Sequence, residues 1–128
     1  MRNLREKVLS TVLSGVMVGA MAFTTIPVSA ATVSTGEFGT MTYYLRGSGN
    51  TVTAHTSVTK TANKVITKLE IQVNATGATI FNYQKTASNA KACTNTKVTN
   101  YTVTKLAAWG THEARGNSSI AKYTSATF

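Results

Sequence analysis

Aspartate is missing altogether from this 128-residue chain, glutamate occurs four times, and there is one cysteine and one proline. A single cysteine excludes a disulfide-stapled scaffold, and so few carboxylates leave little material for acid–base pairs or oxygen-rich metal sites. The length leaves room for one domain, which excludes a multidomain enzyme. Long apolar runs are scarce too. The one candidate, Val8 to Phe23, is shorter than the roughly 20 residues that span a bilayer and is interrupted by Ser10, Thr11, Ser14 and Gly15.

That run has the form of an export signal. Arg2, Arg5 and Lys7 precede it, Pro27 ends it, and Val28-Ser29-Ala30 supplies the small-residue pattern of a signal-peptidase site. Residues 1–30 are therefore expected to be a signal peptide cleaved after Ala30, leaving a secreted, extracellular domain of residues 31–128; a retained anchor is the competing reading. Ten of the thirteen Lys and Arg stay with the mature part against three glutamates, a net charge of +7.

Threonine is what the mature part has in plenty: 21 Thr, with 7 Ser and 8 Asn, against only 17 Leu, Ile, Val and Phe. So low an aliphatic content borders on that of disordered chains, but charge is also low, and threonine is β-branched and favours extended structure. Alternation confirms that direction. Lys64 to Asn74 places Val65, Thr67, Leu69, Ile71 and Val73 on one face, and Thr51 to Lys60 places Val52, Ala54, Thr56 and Val58 on one face. The polar stretch Thr61-Ala62-Asn63 between them predicts a hairpin. Burying both apolar sets on one side requires opposed residues whose numbers sum to an odd value, such as Val58 with Thr67, and sets His55 against Glu70, Lys68 or Gln72.

Further strands are expected at Thr40–Arg46, Thr79–Lys85, Thr96–Leu106 and Ser119–Phe128, with a short helical turn near Thr86–Lys91. About six short strands with no repeat of fixed period predict an all-β fold, a small antiparallel β-sandwich or barrel. The paired threonines such as Thr102 and Thr104 lack the period of a solenoid array, and 98 residues are few for a membrane barrel. Three glycosylation sequons, at Asn74, Asn100 and Asn117, are expected by chance in a chain so rich in Asn and Thr.

Candidate chemistry is sparse. Cys93 with His55 or His112 would make a nucleophile and base only if the fold joined them, and KACTN is no nucleophile turn. A buried thiol is the simpler reading, with a Cys93-linked homodimer as a minor alternative in an oxidising compartment. Glu37, Glu70 and Glu113 could supply paired carboxylates but lack a visible aromatic groove. His112 and Glu113 are adjacent, so on an extended segment they point to opposite sides, and with His55 they match no zinc spacing; all three read as exposed polar residues. No metal, cofactor or catalytic residue is predicted.

The segment Trp109 to Ser119 stands apart. It reads as a loop that combines Trp109, His112, Glu113 and Arg115, and these four are the candidate ligand-binding residues, weighed against Trp109 simply capping the core. The candidate basic surface is Lys60, Lys64, Lys68, Lys97 and Lys105, with Lys64 and Lys68 on one outer face and Lys97, Tyr101 and Lys105 on another. Such charge attracts an anionic cell-wall polymer or membrane surface; it also keeps sheet edges soluble. Nucleic acid is not an expected partner, because the chain has no binding motif for it.

Export followed by a small basic β-rich domain resembles the lactococcin-972 class of secreted bacteriocins in general type; that class's Gly-Thr-Trp-x-His-Gly start is absent here, where Phe38-Gly39-Thr40 is the nearest counterpart. The resemblance implies a β-sandwich and a toxin acting on a neighbour's envelope. Taken together, the residues lead to a non-enzymatic secreted binder of anionic envelope or extracellular polymers, with a bacteriocin-like toxin second and an extracellular enzyme third.

Overall fold

The computed structural model describes residues 30–128, so the expected signal segment, apart from Ala30, lies outside the described residues. The chain forms β1 (Ala31–Ser34), β2 (Thr40–Ser48), β3 (Thr51–Val73), β4 (Thr79–Val98), a 3-10 turn (Val103–Lys105), β5 (Leu106–Arg115) and β6 (Ser119–Thr127). All pairings are antiparallel. The all-β class holds among the described residues, but the strands are not uniformly short: β3 has 23 residues and β4 has 20.

The expected hairpin around Thr61-Ala62-Asn63 is replaced by continuous strand. The first part of β3 lies beside β2, with Thr56 opposite Tyr43 and Ala54 opposite Leu45, while its second part lies beside β5, with Thr67 opposite His112 and Leu69 opposite Gly110. β4 runs along the other edge of both parts. Between Ser57 and Ala62 the register shifts, so that Val58 to Thr61 stand against Lys91 alone, and Asn89 adopts φ 50 nearby. The bend changes the phase of alternation. Inward residues are even-numbered before it (Val52, Ala54, Thr56, Val58) and odd-numbered after it (Val65, Thr67, Leu69, Ile71), so both apolar sets reach the concave side of one curled sheet. Thr59 and Lys60 hold the bend to the start of β2 and the loop before it: Thr40 N–H donates to Thr59 Oγ1, and Lys60 N–H donates to the Phe38 carbonyl.

Other expectations change with it. Thr86–Lys91 is strand, not a helical turn, and the strand expected over Thr96–Leu106 stops at Val98, where Thr99 N–H turns to donate to the Asn50 carbonyl. The loop expected from Trp109 is β5, closed by a turn at 116–118. Glu37, from the β1–β2 loop, braces that turn by accepting from Asn117 N–H, Ser118 N–H and Ser118 Oγ.

The curl divides the core. One apolar cluster gathers Leu45, Val52, Ala54, Leu69, Ile71, Leu106, Ala108 and Phe128; the other gathers Phe38, Met41, Tyr43, Val58, Ala62, Val65, Cys93 and Ala114. In both parts of β3 the inward residue between the two clusters is polar, Thr56 between Ala54 and Val58 and Thr67 between Val65 and Leu69, and on β5 Gly110 and His112 lie between Ala108 and Ala114. A buried polar layer thus separates two apolar ones.

Candidate functional site

His112, Thr56 and Thr67 are each fully buried. Their hydrogen bonds form a chain whose direction follows from counting hydroxyl protons. Thr67 Oγ1 donates its only proton to the Cys93 carbonyl at 2.9 Å, so at 2.7 Å from Thr56 Oγ1 it must accept. Thr56 then has no proton left for His112 Nδ1 at 2.9 Å, which makes Nδ1 the protonated nitrogen. Nε2 carries the lone pair and accepts from Thr124 Oγ1 at 2.8 Å. The chain runs from β6 through β5 and both parts of β3 to β4. Burial drives the His112 pKa down from 6.5 to about 3, the neighbouring His55 contributing in both directions, so the ring is neutral across the physiological range.

This placement overturns the reading of His112 as an exposed polar residue. It also divides the candidate ligand-binding group: Ala108, Gly110, His112 and Ala114 face inward, whereas Trp109, Thr111, Glu113 and Arg115 face outward. Trp109 is half-buried and opposite Glu70 and Ser125; Glu113 accepts from Arg115 Nε at 3.0 Å. Trp109, Glu113 and Arg115 therefore share a face, as alternation on an extended segment requires, and His112 does not join them. Gly110 permits the inner arrangement, since a Cβ there would stand 2.6 Å from Thr124 Oγ1 and 2.9 Å from His112 Nε2.

The opposite outer face carries a group that alternation alone did not mark. His55 neighbours Tyr44 on β2 and Thr94 on β4, not Glu70, Lys68 or Gln72. Its ring stacks on Tyr44 with centroids 5.0 Å apart, Arg46 covers Tyr44 at 4.4 Å, and His55 Nδ1 lies 2.7 Å from Thr94 Oγ1. Partial burial, and secondarily the Arg46 charge, lower the His55 pKa. The signal for this row was present in the alternation of β2 and β3, but recognising it required knowing which strands are neighbours.

Lys64 and Lys68 share an outer face of β3 as expected, with Lys64 directly opposite Arg115. Lys60 sits at the bend. Lys97, Tyr101 and Lys105 do not share a strand face, because β4 ends between them; Lys97 reaches over the Phe81 ring at 5.3 Å. Cys93 is buried, and its thiol donates to the Lys85 carbonyl. Bridging it to a second chain would require that edge to open. Among the described residues no three His, Cys, Asp or Glu side chains gather where a metal ion could be held.

Compared with protein-family models, curated proteins and solved structures, the chain finds no match. The geometry is thus the basis for function. Both ring nitrogens of His112 are engaged inside the core, the Cys93 thiol is spent on a backbone carbonyl, and Glu37 and Glu113 are each bound by a neighbour. What the exterior offers is charge, stacked rings and rows of hydroxyls.

Proposed function

We propose that residues 31–128 are a secreted, non-enzymatic binding protein that attaches to anionic cell-envelope or extracellular polymer surfaces. In this reading the curled sheet acts as the two layers of a small β-sandwich, with β3 and β4 passing from one layer to the other at the bend. The observation that carries it is the disposition of charge. None of the ten cations is buried, while each of the three carboxylates is already engaged: Glu37 by the 116–118 turn, Glu70 by Gln72 Nε2, and Glu113 by Arg115. An excess of seven positive charges on so small a surface attracts polyanions without a dedicated pocket, and the attraction weakens with salt because exposed charges are screened over about 8 Å at physiological ionic strength.

The test is retention of the cleaved protein on purified anionic wall polymer. Retention at low ionic strength that declines steadily with added salt is expected. Passage through the column at low ionic strength would refute the reading.

A further inference from the structure

Among the described residues, three of the four large apolar side chains that stand exposed, Tyr83, Val98 and Tyr101, lie on β4 or in the loop after it, at 57, 61 and 40 % exposure; the fourth is Tyr123 on β6. They belong to a continuous surface. Phe81 lies 6.2 Å from the Tyr83 ring, Lys97 extends over Phe81, and Ile80, Lys97, Val98, Thr99, Asn100 and Tyr101 line an open groove of about 250 Å³. Among the described residues β4 pairs only with β3, so its outer edge is the rim of the described sheet. Asn95 ties the two parts of this rim together by donating from Nδ2 to the carbonyls of Thr67 and Tyr83.

The same stretch has charge of one sign only. No acidic residue occurs between Glu70 and Glu113, whereas Lys85, Lys91, Lys97 and Lys105 all fall there. The nearest carboxylate across the ladder is Glu70, opposite Asn82, and its Oε2 accepts from Gln72 Nε2.

We infer that the β4 rim and the loop after it dock on an anionic lipid bilayer, with Tyr83, Val98 and Tyr101 entering the headgroup region and Lys85, Lys91, Lys97 and Lys105 meeting lipid phosphates. This rests on the envelope-binding reading above and names its target. A soluble polyphosphate would use the lysines but would gain nothing from Val98 or the two tyrosines. A bilayer interface uses both, because tyrosine rings settle at headgroup depth while apolar burial and attraction to anionic lipid add together. Each lysine brought to an anionic surface contributes about fivefold in affinity. Pairing of two β4 rims is opposed by Lys85, Lys91 and Lys97 on the strand and by the bend at Asn89, both of which blunt an edge strand.

The experiment is co-sedimentation of the cleaved protein with vesicles of mixed phosphatidylglycerol and phosphatidylcholine, with phosphatidylcholine vesicles and soluble polyphosphate as parallel arms. Wild type is expected to bind the anionic vesicles and to bind the neutral ones at least about tenfold more weakly. The Val98→Ser, Tyr101→Ser double variant alters only exposed side chains; it should lose about tenfold or more on anionic vesicles and keep its polyphosphate affinity. Lys85→Gln with Lys91→Gln should weaken both. Equal vesicle binding by wild type and the serine variant would overturn the inference, as would no binding to anionic vesicles at low ionic strength. In either case, intact retention on wall polymer would leave the broader reading standing, and its loss would remove both.

Discussion

His112 and His55 each lie within hydrogen-bond reach of threonine hydroxyls, yet one is sealed in the core and the other stands on the surface. His112 bridges β3 and β6 through Thr56 and Thr124, and its ring lies 5.3 Å from that of Tyr43. His55 stacks on Tyr44 and reaches Thr94 across the outer face of β3. An inward position on β5 and an outward one on β3 therefore turn the same side chain to different ends. Inside, the imidazole is a fixed donor and acceptor that satisfies buried hydroxyls; outside, it is one of several rings whose partners compete with water.

The largest expected consequence of that contrast is in stability. His112→Leu removes the partner of two hydroxyls and should cost about 4 kcal/mol in chemical denaturation. Adding Thr124→Val to His112→Leu should recover part of the loss, since it removes the hydroxyl left without its acceptor, whereas Thr56 keeps Thr67 Oγ1 as its acceptor. A cost like that of a surface substitution would break the comparison.

Acid comes next. In the unfolded chain His112 titrates near 6.5 and in the folded chain near 3, so stability is fully present above 6.5 and falls as pH drops toward 3, because only the unfolded state takes the proton. The slope from this residue is at most about 1.4 kcal/mol per pH unit, to be read from melting curves of wild type against the His112→Leu variant, in which it should vanish. Glu37 acts in the same direction lower down: hydrogen bonds from Ser118, and then from the Asn117 and Ser118 backbone, hold its pKa below 4.5, so its contribution is lost as pH falls below that value.

Gly110→Ala sharpens the comparison without replacing either histidine. The added methyl would press on Thr124 Oγ1 and His112 Nε2, so a loss of about 2 kcal/mol is expected, with the His112 ring resonances displaced in an NMR spectrum. The smallest effect belongs to His55→Ala, which should cost less than about 1 kcal/mol in the same denaturation assay. A larger cost would mean that the outer row is as structural as the inner one.

Much of this fold is legible in the residues. Both inward sets of β3 follow from alternation, as do the span of β2 and the position of β6. The hairpin failed for an instructive reason. A shift of inward positions from even to odd numbers is needed whether the chain turns back on itself or bends and continues, and Thr-Lys-Thr-Ala-Asn contains neither the glycine nor the proline that would favour a tight turn. Thr86–Lys91 resembled a helical turn because its residues are small and polar, which equally suits an edge strand facing water on both sides. Trp109–Arg115 resembled a loop because Gly110 and four polar side chains obscure its alternation; of its inward residues, Gly110 makes room for Thr124 and His112 meets the hydroxyls of Thr56 and Thr124.

By itself, the sequence determined that the chain is basic, β-rich and poor in groups for catalysis, because these follow from composition and from a period of two that each strand carries locally. Tertiary structure alone decided that β3 bends, that His112 leaves its neighbours Trp109, Glu113 and Arg115 for the core, and that the lysines and exposed rings of β4 fall on one rim. Those outcomes depend on which strands become neighbours, and neighbours are chosen by burying both parts of β3 at once, a condition no single segment contains.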